Sequence, residues 1–207
     1  MNHLYTFKRP FIWLSRFRNR CGYGVHSPFA FSLITDVIYE KRSYYAYAVL
    51  EAEYRKKLVP KSHVAGERRI NRLLFRLVNK VQPTDIIEVG HPSITSLYLQ
   101  SAKPSAHYRF VSELSEFSFG EATSIFFLYL NDYQHPDLLE KAFQMSVDYA
   151  TPDSLFVVYG VGYSKAMKLL WSRMQKDERV GITFDLYDVG LLFFDKTKIK
   201  QHYIVNF

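Results

Sequence analysis

The run SIFFLYLND, Ser124 to Asp132, limits the fold more than any other stretch of this chain. It is apolar without alternation, so a strand made from it has no solvent face. Burial on both sides calls for helices above and below a largely parallel sheet. The neighbouring sequence supplies both kinds of element. DIIEV (85–89), HYRFVSEL (107–114) and SLFVVY (154–159) are further short runs rich in β-branched and aromatic residues. Between them SITSLYLQSA, HPDLLEKAFQMSVDYA and SKAMKLLWSRMQKD read as helices. VGITFDLYDVGLLFF and QHYIVNF then read as closing strands. The predicted fold class is α/β: a reduced Rossmann-like sheet of about six strands, with antiparallel strands at its C-terminal end.

Residues 1–84 read differently, as helices. Pro10 opens one that runs to about Asn19. Ser27-Pro28 is an N-cap followed by proline at the first helical position, opening a helix to about Tyr39. Tyr44 to Lys57 forms a third. Glu67 to Val81 forms a fourth, with Ile70, Leu73, Leu74, Leu77 and Val78 at helical spacing and Gln82-Pro83 as its stop. The chain thus divides into a helical extension, 1–84, and an α/β domain, 85–207.

Aromatics make up 17% of the 207 residues, which argues for a folded chain. Cys21 is the one cysteine, so no internal disulfide forms and a reducing cytoplasm is expected. The N-terminus shows no apolar core followed by a cleavage site, and no apolar run is long enough to cross a membrane. Charge is uneven. Residues 1–84 carry 16 Lys/Arg against 5 Asp/Glu, residues 85–207 carry 11 against 15, and the net is +7. The basic half either faces an anionic partner or is a set of solvated helix faces partly neutralised by the acidic half. FKRPFIWLSRFRNR, 7–20, interleaves bulky apolar residues with Arg and Lys. It suits an anionic membrane surface, nucleic acid phosphates, or docking on the domain itself. Trp and Phe place the membrane ahead of nucleic acid.

The chemistry-bearing motif is IIEVGHPSITSLYLQSA, 86–102: a strand, Glu88-Val89-Gly90, then a helix. Ligands in open α/β sheets sit at the carboxyl ends of the strands. The second strand is read as ending at Glu113 and the third at Asn131-Asp132, on the same side. The segments GYGVHSPFAFSLITDVIYE, RLLFRLVNKVQPTDIIEVG and VGITFDLYDVGLLFFDKTKIKQHYIVNF resemble bacterial proteins with the class I S-adenosylmethionine-dependent methyltransferase fold, over roughly residues 20–207. The resemblance implies S-adenosylmethionine as cofactor. It puts Glu88 and Gly90 beside the methionine part, Glu113 at the ribose, and Asp132 near the reacting methyl group. Thr95 and Ser96 keep hydroxyls nearby. A small acceptor would be methylated on oxygen or nitrogen.

The chain departs from that pattern in three places. The related loop reads G-x-x-x-G, and here Ile94 stands at the second glycine, after the stiff His91-Pro92. Only ten residues, Leu114 to Thr123, join the second strand to the third. Returning along a strand and past one neighbour spans roughly 22 Å, which ten extended residues cover at about 33 Å and ten helical residues miss at about 15 Å. A strand and its covering helices are therefore expected to be missing. Some O-methyltransferases of this fold also hold a divalent cation with acids at the ends of later strands. Here the fourth strand ends in Val158-Tyr159-Gly160, so no metal is expected. Together these departures imply weakened or lost transfer. The alternative is a non-catalytic binding protein that works through its basic helical half.

Several other readings stay open. Glu88 either serves the pocket, caps its strand end, or pairs with an arginine of the basic half. Glu113 is alternatively a solvated acid, and Asn131-Asp132 ordinary turn chemistry. His26, before Ser27-Pro28, is a candidate general base toward substrate or a hydrogen-bonded structural residue. The remaining histidines show no zinc spacing. Tyr44, Tyr45, Tyr47 and Tyr54 read as helix packing or as a pocket lining.

Overall fold

A computed structural model describes the backbone of residues 3–56, 61–117 and 125–207, and the side chains of residues 9–53, 67–117 and 127–207. Strands β1 (Asp85–Val89), β2 (His107–Val111), β3 (Ile125–Leu130), β4 (Ala150–Tyr159), β5 (Thr183–Asp185), β6 (Val189–Phe193) and β7 (His202–Ile204) form one sheet. Their order is β2-β1-β3-β4-β6-β5-β7. The sheet has seven strands where the sequence suggested about six. Strand β6 is antiparallel to both its neighbours, whereas β7 pairs parallel to β5. The closing strands are thus not all antiparallel, because the link from β6 to β7 carries the chain back to start beside β5.

β2 is the sheet edge, as the short return to β3 requires. That return includes a single 3-10 turn at Leu114–Glu116, and residues 118–124 of it lie outside the described residues. β2 stops at Val111, short of the Glu113 read from sequence.

Alternate side chains of each parallel strand enter two cores. Ile86, Phe127, Tyr129, Leu155 and Val157 face the helical N-terminal half. There α2 (Pro28–Ser32) and α4 (Lys61–Val81) supply Ala30, Leu73, Leu74 and Leu77. Ile87, Val89, Leu128, Leu130, Phe156 and Val158 face α6 (Pro136–Ser146) and α7 (Lys165–Lys176). The apolar stripe read on α4 is buried along its length. The boundary at residue 84 therefore falls between a helix and a strand that share one core.

Ser27 caps α2 by accepting from Ala30 N, and the helix continues as a π-helical stretch over Leu33–Ile38. Helix α3 (Tyr45–Lys56) leans its Tyr47 on Phe75, with Tyr44 beside both. Tyr44 and Tyr47 are thus helix packing, Tyr45 is exposed, and the Tyr54 side chain lies outside the described residues. Helix α1 (His3–Ser15) carries Pro10 inside it rather than at its start, and a 3-10 turn follows at Phe17–Asn19. Proline's φ is already helical, so continuing through it forfeits one backbone bond and need not end the helix.

Arg76 is buried and donates through Nε to Val37 O at 2.6 Å and through Nη2 to Ile38 O at 3.1 Å. These are orphan carbonyls at the end of the π-helical stretch. Arg76→Met leaves them unpaired and is expected to cost on the order of 2–3 kcal/mol in urea unfolding, with Arg76→Lys recovering part. A loss within about 0.5 kcal/mol for the Met variant contradicts this role.

Candidate functional site at the strand switch point

The chain leaves β1 outward to β2 and returns across it to β3. The connections after β1 and β3 therefore run to opposite sides, which leaves a crevice at their carboxyl ends. Glu88, Gly90 and His91 enter it from β1, and Asn131 and Asp132 from β3. Backbone bonds extend the ladder past both strand ends, from Gly90 N to Val111 O at 3.0 Å and from Asn131 N to Val89 O at 2.9 Å. A Cβ on Gly90, whose φ is +130°, would come within 3.0 Å of the Asp132 backbone. Glycine here lets two protein strands approach each other.

Glu88 lies on the side of β1 that carries Ile86, is 0% exposed, and meets four donors. Its Oε1 accepts from Asn131 Nδ2 at 2.7 Å and Ser93 Oγ at 3.5 Å. Its Oε2 accepts from Tyr108 OH at 2.7 Å and Ser96 Oγ at 2.9 Å. A carboxylate has about four acceptor sites, so this one is saturated from within the protein. None of the three sequence readings of Glu88 described this. It ties β2, β3 and the start of α5 (Thr95–Ala102) to β1. Burial pushes its carboxyl above the ordinary 4.5, and the four hydrogen bonds pull it partly back. Burial, followed by the Glu88 charge, raises the Tyr108 phenol. Tyr108, which completes this group with Asn131, escaped the sequence reading, and Asn131 was read there only as the ligand-side end of its strand or as turn chemistry. Tyrosine on a strand and Asn before Asp carry no signal of their own until the register is known.

Ser96 points inward to Glu88, and its one hydroxyl hydrogen is shared between that carboxylate and Ser93 O at 3.0 Å. Ile94 has ordinary helical angles, φ −63° and ψ −19°, so its backbone needs no glycine. Glu113 is exposed two residues beyond β2, outside the Glu88 group. His26 is exposed ahead of α2, whose Phe29 packs on Phe184 of β5 and Phe193 of β6. That is the far flank of the sheet from β1 and β3, so the structure does not join His26 to this group.

Asp132 turns to the other face. Its Oδ2 lies 3.2 Å from His91 Nε2 and 2.7 Å from His135 Nδ1, and its Oδ1 accepts from Gln134 N at 3.2 Å. The sequence spacing that argued against a histidine metal site does not carry into three dimensions, where these residues converge. Beyond them, the carboxyl ends of β3 and β4 are filled by rings. Tyr133 packs on Tyr159 at 5.7 Å and on Tyr163 at 5.1 Å, and the φ of +75° at Gly160 keeps its hydrogen-only side against Tyr133. Burial pushes the Tyr159 phenol up to about 12.

Glu88→Ala leaves its donors facing a void and is expected to cost on the order of 2–3 kcal/mol. Glu88→Gln retains the shape, since the Tyr108 and Ser96 hydroxyls can turn to accept. The folded carboxyl titrates above the unfolded one, so ionisation works against folding as pH rises from about 4.5 through the folded value. The difference in melting temperature between Glu88→Gln and the parent should therefore shift in favour of the variant over that window, then level off. A difference constant across it would show that Glu88 is not perturbed.

No protein-family model matches the chain, and neither does any curated sequence. Solved structures do match. The Streptomyces achromogenes O-methyltransferase TomG of tomaymycin synthesis, in complex with S-adenosylmethionine, superposes with a TM-score of 0.52 at 14% identity, over 74% of this chain and 91% of that one. The S-adenosylhomocysteine-bound methyltransferase PaMTH1 of Podospora anserina gives 0.56 at 9% identity, over 82% and 96%. The chain has the Rossmann-like α/β fold of class I methyltransferases, with β2 and β7 as the two edges of its sheet among the described residues.

Proposed function

We propose that this is a methyltransferase-like protein whose transfer of methyl groups to a small oxygen or nitrogen acceptor is weakened or lost. The fold supports the first part, and neighbours of that fold bind S-adenosylmethionine or S-adenosylhomocysteine. The saturation of Glu88 carries the second. A cofactor amino group that sought this carboxylate would have to displace four protein donors already in place, of which Asn131 is buried and has no water to turn to. Asp132 is likewise engaged, and Ile94 fills space on the loop. Glu113 alone of the acids named on this edge is exposed, where it suits a diol. The residues present therefore fit an S-adenosyl group poorly, and no transfer step is assigned to them.

The test is thermal unfolding with S-adenosylmethionine and S-adenosylhomocysteine. Ligand at its own dissociation constant stabilises by about 0.4 kcal/mol, near 1 °C for a chain this size, and ligand at 100 times that constant by about 2.7 kcal/mol, or roughly 5–10 °C. The expected shift at millimolar ligand is the smaller one. A rise of the larger size would overturn the reading and call for an acceptor screen.

A second reading has its own observation. Helix α1 is held by its polar side: Arg9 pairs with Asp188 at 2.7 Å, Arg16 with Asp185 at 2.8 Å, and Asn206 Nδ2 donates to Trp13 O at 3.1 Å. Among the described apolar side chains of this segment Ile12 is half-buried and four are left outward, with Phe11 68%, Trp13 46%, Leu14 66% and Phe17 50% exposed. Arg20 lies over the Trp13 and Phe17 rings, and Arg18 is exposed. We infer that this ridge rests on an anionic lipid surface, with the aromatics at the interface and the arginines on headgroups. The full chain should co-sediment with phosphatidylserine vesicles and not with phosphatidylcholine alone, and salt should release it. Phe11→Ser with Leu14→Ser removes on the order of 2 kcal/mol of burial, roughly 30-fold in partition. Equal partition of parent and variant would rule the ridge out.

A further inference from the structure

We propose that His91, Asp132 and His135 form a site for one divalent transition-metal ion of the zinc class. One ligand atom from each lies within 4.8 Å of the other two. An ion with bonds of about 2.0–2.2 Å to nitrogen and oxygen sets tetrahedral donors roughly 3.3–3.6 Å apart. The present separations from Asp132 Oδ2, 3.2 Å to His91 and 2.7 Å to His135, would lengthen to that spacing, and the two histidine atoms, within 4.8 Å of each other, would settle at it as the imidazoles turn. Both histidine side chains are 63% exposed, so they can turn and an ion can enter, while Asp132 is 3% exposed and fixed.

The charge balance points the same way. A buried carboxylate is costly unless a cation or strong donors meet it. Among the described residues no lysine or arginine pairs with Asp132; its ionic partners are these two histidines. An ion held between them would bring a positive charge to this buried carboxylate.

Backbone bonds fix the residues that carry the ligands. Asn131 Nδ2 donates to His91 O at 2.9 Å, which fixes the loop that carries the first histidine. His135 sits at the N-cap of α6, with its N–H on Asp132 O at 3.1 Å and Pro136 fixing the next residue. Gln134 N holds the second oxygen of Asp132. Two imidazoles and one carboxylate favour zinc, cobalt or iron(II) over magnesium, which prefers an all-oxygen shell. Three protein ligands leave a position for water or a ligand oxygen. This donor set differs from a cation cage of later-strand acids, whose place here is taken by Val158, Tyr159 and Gly160. It depends on side-chain geometry alone and stands whether or not an S-adenosyl compound binds.

The experiment is calorimetric titration of the full chain, without an affinity tag, with Zn²⁺ and with Mg²⁺, plus visible spectra of the Co²⁺ form. The parent should bind one equivalent of Zn²⁺, ignore Mg²⁺, and give the intensified bands of a low-coordinate cobalt site. His91→Ala and His135→Ala alter exposed side chains and should fold normally. Each should weaken Zn²⁺ by more than about tenfold, the least that loss of even an outer-shell partner costs. The double variant should lose the cobalt bands. The proposal is overturned if the parent takes up no zinc, or if the double variant binds as well as the parent.

Discussion

The carboxylate of Glu88 is the constraint on which the rest of this structure depends. It sits fully buried in the middle of the parallel part of the sheet, and no arginine or lysine meets it among the described residues. Neutral donors from β2, β3 and the β1–α5 connection must then all arrive together. A slip of one residue in any of these strands would turn its donor to the opposite face. The carboxylate would then be buried without partners, at a cost of several kcal/mol. Apolar packing alone tolerates many registers on such a sheet, because its strands are greasy on both faces. The group around Glu88 selects one of them. Its price in desolvation, visible in the raised carboxyl, is offset by a unique alignment at the point where the chain reverses direction.

The charge asymmetry of the sequence finds a related outcome. Part of the basic surplus is spent within the molecule, since Arg9, Arg16 and Arg69 close on Asp185 and Asp188 at the β5–β6 turn. Asp188 is buried, and Tyr163 OH also donates to it at 3.0 Å. Because Arg9 and Arg16 anchor this segment through their guanidinium groups, the rings of Phe11, Trp13 and Phe17 are not needed for docking. They stay outside, next to the arginines at 18 and 20, which meet no acid among the described residues.

How much of this could be read from the chain follows from what each feature depends on. Strands β1 to β4 and helix α4 rest on local apolar patterns, which located each element but not all its bounds: β2 stops at Val111 rather than Glu113, β4 begins at Ala150 rather than Ser154, and α4 begins at Lys61 rather than Glu67. Ser27 before Pro28 signals a cap with its own chemistry, and it caps. The start of α1 was misplaced because proline's preference for a first turn is a tendency, whereas its compatibility with helical φ is a fact of geometry. The direction of β7 depends on where a loop delivers the chain, which no residue pattern encodes. The acids Glu88 and Asp132 were legible as members of the switch-point edge. Their saturation was not, because Asn131 lies 43 residues from Glu88 and Tyr108 lies 20. The histidine pair was hidden for the same reason: His91 and His135 meet only through the β1–β3 pairing.

That pairing separates two jobs which share one edge. Glu88, Tyr108 and Asn131 face the α4 side and hold the strands; Asp132, with His91 and His135, faces the α6 side and is open to solvent through its histidines. Alternation along β3 puts Asn131 and Asp132 on opposite faces, so the two groups are adjacent in sequence yet do not compete for donors. The topology makes the crevice, but exposed residues such as those at 91 and 135 decide what can enter it, and the sheet is indifferent to them. Substitutions at those two positions can therefore change what the crevice admits without any change to the core. The buried group cannot vary in that way, since each of its members is a partner that another buried atom requires.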